Sequence, residues 1–262
     1  MRAFLRYAAL GAGAALWAAS ASAQTLVGLT ENQSLVWIDT KGWAATKTMK
    51  IGGVAGRLIG IDARPANGML YGLGEDGALY VIARDSGAAT AVARLNKPIP
   101  AARRAVVDFN PVADRLRVIL ADGTNLRINV DSGETTVDGS LKFDPAAPMK
   151  DAKPAVVAGA YTSSVAGAKQ TALYDIDLAQ DALLLQSPPN DGVLKVVGKL
   201  GVGPAGAAAF EIAAGADGSD AGWLVAGGKV YSVDLKTGAA TQKGTIKGVA
   251  GALIDIAALP GK

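Results

Sequence analysis

The feature that most constrains the fold is a diverged repeat that runs along most of the chain. Its two clearest copies are residues 59–95 and 106–141. Each copy contains four short runs in which apolar and polar residues alternate, separated by turns rich in Gly, Asp, Asn or Pro. Such alternation is typical of β-strands, and a repeat of about 40–50 residues with four strands is typical of a propeller blade. The sequence therefore predicts an all-β fold, a β-propeller of four-stranded blades.

Five units can be aligned, and the first is split between the two ends of the chain. The complete units span residues 58–95, 105–141, 156–200 and 207–246. Residues 24–51 supply only three strands, and the missing innermost strand is found at residues 253–259. Joining the ends in one blade closes the ring and removes exposed sheet edges. This complementarity favours a propeller over a β-sandwich. We expect five blades, and a six-bladed ring stays open as the alternative, although no sixth unit can be aligned.

Residues 1–23 have the features of an export signal. Arg2 and Arg6 begin the segment, the apolar stretch that follows is too short to span a bilayer, and Ala21-Ser22-Ala23 matches a cleavage site. We therefore expect cleavage before Gln24 and a periplasmic or secreted location. A retained N-terminal anchor is the alternative.

The composition excludes several classes of function. Residues 1–23 hold two of the 26 Lys and Arg and none of the 23 Asp and Glu, so residues 24–262, which we expect to form one domain, carry a net charge of +1. A nearly neutral chain is a poor partner for nucleic acid or an anionic membrane. The chain has no Cys and no His. This excludes disulfides, thiol chemistry and a Ser-His-Asp triad, and it disfavours zinc, copper and haem.

Acidic residues recur at one position of the innermost strands. They are Asp62, Asp108, Glu211 and Asp255, each between apolar neighbours, while Tyr161 takes that position in the fourth unit. In a structural interpretation each acid accepts backbone hydrogen bonds or pairs with Arg; in a functional one the carboxylates surround the channel and bind a cation, or a cationic or hydroxylated ligand. Repetition favours the structural interpretation, because buried acids need partners and catalytic groups break symmetry. We therefore assign no catalytic residue and no metal ligand, and calcium is the one cofactor left open.

Arginines alternate with apolar residues in the third unit, and a buried sheet tolerates them only with partners. We expect structural pairs between blades from Asp114, Arg115, Arg117 and Arg127. An anion or sugar clamp is the alternative. A ligand at the channel mouth would contact Asp62, Arg64, Asp108, Asn110, Tyr161, Glu211 and Asp255.

A second acidic group, Asp175, Asp177 and Asp181, is only loosely similar to a calcium-binding loop. It lacks the central Gly and the terminal Glu of an EF-hand. We expect these aspartates to cap turns.

Four stretches of the chain resemble an exported bacterial family catalogued as a domain of unknown function. They are GIDARPANGMLYGL at 60–73, DFNPVADRLR at 108–117, LYDID at 173–177 and PPNDG at 188–192. The resemblance implies a secreted or periplasmic bacterial protein with a WD40- or NHL-like propeller, and it implies no activity. Ala63 departs from the family pattern, in which an aromatic residue is common there.

We expect a monomeric binding module for a protein, a glycan or a small ligand, at one face or at the channel mouth. A carboxylate-dependent hydrolase, glycosidase-like or calcium-dependent, is the alternative. A glycosidase places two acids around the scissile bond. The aromatic side chains on which sugars stack are scarce, however, and residues 24–262 contain only three tryptophans, Trp37, Trp43 and Trp223. Without His, a calcium-dependent lactonase-type hydrolase lacks its usual proton acceptor.

Overall fold

The computed structural model describes residues 25–147, 149–203 and 207–259, which form five sheets. The expected export signal at residues 1–23 lies outside the described residues. The first sheet joins the two ends of the chain and contains β21 (Leu253–Leu259), β1 (Thr25–Thr30), β2 (Ser34–Asp39) and β3 (Ala44–Lys50), in this order from the inside outwards. Strands β21 and β1 are antiparallel, and Thr25 is paired with Leu259.

The second, third and fifth blades are regular antiparallel meanders, in which the first strand is innermost. The second contains β4 (Leu58–Ala63), β5 (Leu70–Gly74), β6 (Ala78–Ile82) and β7 (Ala89–Arg94). The third contains β8 (Val106–Asn110), β9 (Arg115–Ile119), β10 (Asn125–Ile128) and β11 (Thr135–Val137). The fifth contains β17 (Ala208–Ala214), β18 (Asp220–Ala226), β19 (Lys229–Val233) and β20 (Ala240–Thr245).

The fourth blade has a fifth strand that the sequence does not predict. Its regular strands are β13 (Val156–Tyr161), β14 (Leu173–Asp177), β15 (Ala182–Gln186) and β16 (Val193–Lys199). Strand β12 (Lys142–Phe143) is parallel to β16 at its outer edge. A 3-10 helix at Pro189–Asp191 lies between β15 and β16, where the sequence predicts a longer and stiffer loop.

The innermost strands close the ring, because β4 contacts β8, β8 contacts β13, β13 contacts β17, β17 contacts β21, and β21 contacts β4. The predicted five-bladed propeller, with its first blade completed by the C-terminal strand, is confirmed. Among the described residues, none of the helical segments could traverse a lipid bilayer.

The hydrophobic core is divided into five clusters, one between each pair of adjacent blades. The cluster between the second and third blades, for example, contains the edge-to-face pair Tyr71 and Phe109, with ring centroids 5.3 Å apart. Between the fifth and first blades, Trp223 contacts Trp43 in the same way at 5.0 Å. Because each inner sheet is covered on both faces, every residue of β4 is buried. Continuous burial explains why β4 reads LIGIDA and does not alternate strictly.

Candidate functional site

The recurrent acids all lie on innermost strands, so the fold brings them together around the propeller axis. Asp62 is on β4, Asp108 on β8, Glu211 on β17 and Asp255 on β21. One carboxylate oxygen from each of Asp62, Asp108 and Glu211 lies within 4.8 Å of the other two. We call these three residues the axial acid cluster. All four acids are between 2% and 7% exposed, so the cluster is sealed from bulk solvent.

Three of these acids accept a backbone hydrogen bond from the next blade. Asp255 of the first blade accepts from the N–H of Ile61 at 2.8 Å. Asp62 of the second blade accepts from Phe109 at 2.7 Å, and Asp108 of the third accepts from Tyr161 at 2.8 Å.

Glu211 of the fifth blade continues this pattern, because the backbone N–H of Ala258 in the first blade bonds to it. The fourth blade departs from the pattern, since Tyr161 stands where the other blades have an acid. Its junction with the fifth blade is bonded in the opposite direction, from the N–H of Ser163 to Asp220 at 2.8 Å. At four of the five blade junctions, therefore, an axial acid accepts a hydrogen bond from a backbone N–H of the next blade.

Burial raises the pKa of every acid on the axis. The pKa of Asp62 rises to about 7 because desolvation outweighs the bonds from Phe109 and Ala63. Desolvation raises the pKa of Asp108 well above its ordinary value, and the charges of Asp62 and Glu211 add to this effect. The pKa values of Glu211 and Asp255 are raised well above their ordinary values, first by desolvation. Taking carboxylates out of water and placing them side by side both disfavour the charged form.

Glu211 has one oxygen without a partner. Its Oε2 atom is buried and has no hydrogen-bond donor in the described part of the chain. A buried unpaired carboxylate oxygen is costly and calls for a ligand, a proton or a water molecule. The chain has neither His nor Cys, so the atoms that could bind a ligand at the axis are carboxylate oxygens. Such hard oxygen atoms suit a proton or a hard cation.

Arg64 and Asn110, which the sequence places at the channel mouth, are used within the protein. Arg64 forms forked pairs with Asp114 and Asp131, with shortest distances of 2.6 and 2.8 Å. The hydrogen bonds that Arg64 donates to these two aspartates raise its pKa. The pair with Asp114 joins the second and third blades. The Oδ1 atom of Asn110 accepts bonds from the N–H groups of Val112 and Ala113, which fixes the turn after β8.

Arg117 is the centre of a buried polar network between the third and fourth blades. It donates to Asn125 and Asp138 at 2.7 Å, to Asn190 at 2.8 Å and to the Tyr161 hydroxyl at 3.2 Å. Burial raises the pKa of Tyr161.

The other two arginines of the third blade act within that blade. Arg127 also pairs with Asp138, at 2.7 Å, and because Asp138 follows β11 of the same blade, this is not the inter-blade pair that we expected for Arg127. Arg115 donates to the carbonyl groups of Ala113 and Asp114 in its own turn, which differs from the inter-blade role that we expected for it.

Asp175 does not cap a turn, although we expected this from the sequence. Asp177 does cap a turn, accepting from Gln180 at 3.0 Å. Asp175 is fully buried, and neither of its carboxylate oxygens has a partner in the described residues. Desolvation raises its pKa to about 8. It is paired across the sheet with Gly159, whose missing side chain leaves the space that the Asp175 carboxylate occupies.

A separate cavity of about 290 Å³ lies at the junction of the fifth and first blades, at the end where the innermost strands begin. Its lining includes the apolar side chains of Val225, Ile246, Val249 and Leu253. No charged residue lines this cavity, so it provides no group for acid–base chemistry.

These features define a five-bladed β-propeller with an acidic axis. The chain belongs to the family described as Domain of unknown function (DUF4394), whose model matches residues 34–257. No curated protein matches the sequence.

The solved structures that are similar to this chain include two of proteins of unknown function. One, from Bacteroides thetaiotaomicron VPI-5482, has a TM-score of 0.52 at 14% identity and covers 92% of this chain and 65% of its own. This chain thus spans slightly less than two thirds of that protein. The other, from Bacteroides caccae, has a TM-score of 0.45 at 15% identity and covers 84% of this chain and 72% of its own. At these identities the first similarity concerns the fold alone.

Proposed function

We propose that this chain is an exported, non-catalytic binding module that contacts a partner protein through one face of the propeller. The face is formed by the turns between the first and second strands of the second, third and fourth blades, and we call it the first-turn face. The observation that carries the proposal is the position of Met69, Val112 and Val165, one in each of these turns, with exposed fractions of 48–50%. Exposed apolar side chains grouped on one face are typical of protein contact surfaces.

The backbone that carries two of these side chains is fixed by hydrogen bonds. The N–H of Met69 donates to the Asn67 side chain at 3.0 Å, and the N–H of Val112 donates to that of Asn110 at 2.9 Å. The Arg64–Asp114 pair ties the two turns together. A preformed surface loses little conformational entropy when a partner binds.

A protein suits this face better than a glycan. Sugar sites usually offer exposed aromatic rings, whereas the large exposed hydrophobic residues of the described chain are all Met or Val. Of the tryptophans, Trp43 is buried against Trp223, and Trp37 has the Lys47 ammonium 4.8 Å from its ring centroid.

The geometry does not favour the hydrolase alternative. A glycosidase needs two carboxyl groups that reach a sugar from opposite sides. The axial acids are sealed between blades and hydrogen-bonded to backbone N–H groups, so a sugar cannot approach them in this conformation.

We further propose that the propeller is of the WD40 or NHL type and that the protein is periplasmic or secreted. Mass spectrometry of exported protein should find Gln24 at its N-terminus; an intact Met1 would exclude cleavage.

A pair of matched triple variants tests the binding face. The first is Met69→Ser, Val112→Ser and Val165→Ser. The control is Val92→Ser, Val137→Ser and Val196→Ser, at similarly exposed positions (41–56%) on β7, β11 and β16, the fourth regular strands of the same three blades. Each tagged protein is mixed with exported proteins of the source cell, and bound proteins are quantified by mass spectrometry. We expect partners retained by wild type and control to be lost from the first-turn variant, at unchanged melting temperature. Equal recovery by both variants would reject this face.

A further inference from the structure

The axial acid cluster has a property that a purely structural role does not require. Carboxylates of the second, third and fifth blades converge, although the third and fifth blades are not neighbours in the ring. A bond to the next blade requires each acid to reach only its neighbour. We propose that Asp62, Asp108 and Glu211 form a binding site for one hard divalent cation of the calcium class on the propeller axis. This site is independent of the first-turn face.

The unpartnered oxygen of Glu211 is the second observation behind the site. Glu211 is 2% exposed, and its Oε2 atom is buried without a hydrogen-bond donor, although Glu211 belongs to the cluster. The bonds from Ala258 and Ile212 hold the side chain in place and leave that oxygen available. An ion would satisfy an oxygen that the described chain leaves unpaired.

The spacing of the oxygens fits a single ion. Calcium binds oxygen ligands at about 2.3–2.6 Å, so two ligands on opposite sides of one ion are about 4.6–5.2 Å apart. The three carboxylate oxygens lie within 4.8 Å of one another, so an ion at their centre is at most about 2.8 Å from each, and small side-chain movements bring all three to ligand distance. Each oxygen has more than one lone pair, and an oxygen bonded to a backbone N–H can still ligate the ion.

The hydrogen bonds between blades hold two of the three carboxylates in position to bind an ion. The Asp62 and Asp108 carboxylates are fixed by the N–H groups of Phe109 and Tyr161, which belong to the neighbouring blades. Arg117 lies directly across from Asp108 in the β8–β9 pairing, but it donates to Asn125, Asp138, Asn190 and Tyr161.

The small size of the site and its carboxylate oxygen ligands favour a metal ion over an organic ligand. Carboxylates that are 2–3% exposed cannot admit an organic ammonium group or a sugar, whereas an ion can enter by small movements of the blades. Oxygen ligands favour calcium, magnesium and manganese over softer metals. Magnesium demands near-ideal octahedral geometry and dehydrates reluctantly, so we expect calcium to bind more tightly.

Thermal melting and metal analysis test the site in the full-length exported protein. The protein is stripped with EDTA, exchanged into calcium, magnesium or sodium chloride at matched ionic strength, and left overnight because entry to a sealed site is slow. Wild type should retain one calcium per chain after desalting. Its melting temperature should rise by about 5–10 °C at calcium concentrations one hundred times Kd, and less in magnesium.

Glu211→Gln is the informative variant, because it keeps the size of the side chain and removes the charge of the unpaired oxygen. We expect calcium affinity to fall at least about tenfold, since ligand charge sets affinity. Asp175→Asn is the matched control: it neutralises another buried, unpartnered carboxylate outside the cluster and should leave calcium binding unchanged. Should Glu211→Gln fail to fold, Asp108→Asn replaces it with the same expectation. Wild type without retained calcium, a melting shift that sodium reproduces, or full affinity in the cluster variant would overturn the proposal.

Discussion

The Oδ2 atom of Asp62 accepts a 2.7 Å hydrogen bond from the backbone N–H of Phe109 in the next blade. The other oxygen of the same carboxylate accepts from the N–H of Ala63 at 2.6 Å. One side chain therefore satisfies two buried backbone donors and joins two blades. Asp62 thus stabilises the junction between the second and third blades. Burial of its carboxylate raises its pKa to about 7.

We predict that Asp62→Ala lowers the free energy of unfolding by about 1–3 kcal/mol in the presence of EDTA. The substitution leaves the N–H groups of Phe109 and Ala63 buried without an acceptor. Asp62→Asn should cost less, because the amide oxygen still accepts a bond and no charge is buried. Urea unfolding at pH 7 measures both variants. Equal losses, or no loss in the Ala variant, would show that the bond does not contribute to stability.

The strands and the closure could be predicted from the sequence, because their signals are local. Asp131-Ser132-Gly133 marks the turn between β10 and β11, and alternating runs mark the strands on either side. The shared position of the four acids could also be predicted from the repeat. Strand β12 could not, because two residues that pair only with a distant strand carry no periodicity.

Side-chain partners of the site could not be predicted, because they depend on how blades pack. Arg117 bonds to Asn190, 73 positions away in sequence, and no spacing rule connects them. Asp175 looks like a turn aspartate in Tyr174-Asp175-Ile176, yet it faces Gly159 inside the sheet. The sequence does show that Gly159 aligns with Gly60 in the repeat. That Gly159 lies opposite Asp175 could be known only from the strand register.

We predict that removing residues 252–262 prevents stable folding. The deletion removes β21, exposes the edge of β1, and takes away Asp255, which holds Ile61 of the second blade. An exposed edge also promotes aggregation. Solubility and the melting temperature measure the effect, and a truncated protein that melts like wild type would contradict the closure of the ring.

A permuted chain provides the control for this deletion. Leu259 is paired with Thr25, so residues 252–259 can be placed before Thr25 with a short hairpin turn. This protein has the same strands in a different chain order. We expect it to recover most of the wild-type melting temperature, and failure to do so would mean that the strand alone does not explain the loss.

Arg117 and Arg127 share the Asp138 carboxylate but should differ in importance. Arg117→Met should lower the free energy of unfolding by about 3 kcal/mol, because it leaves the buried Asn125 side-chain oxygen without its Arg donor and removes one of the two arginines that pair with Asp138. Arg127 has a side chain that is 35% exposed, so Arg127→Met should cost about 1 kcal/mol or less. Urea unfolding of the two variants gives the comparison. A similar loss in both would show that Asp138, and not the wider network, sets the stability.

The last prediction concerns the unpartnered carboxylate of Asp175. Its pKa is about 8 in the folded chain, against an ordinary value of 3.8, so the folded protein binds the proton more tightly than the unfolded one. The contribution of Asp175 to stability is therefore most favourable below about pH 4, falls as the pH rises to about 8, and is constant above that. Asp175→Asn mimics the protonated acid. Its free energy of unfolding should exceed that of wild type by less than about 2 kcal/mol at pH 5 and by about 5 kcal/mol at pH 8.5. Urea unfolding at both pH values, in EDTA, measures the difference between the two proteins, so the acids common to both cancel. A difference that stays constant with pH would mean that Asp175 has a partner, such as a bound water molecule, that keeps its pKa near the ordinary value.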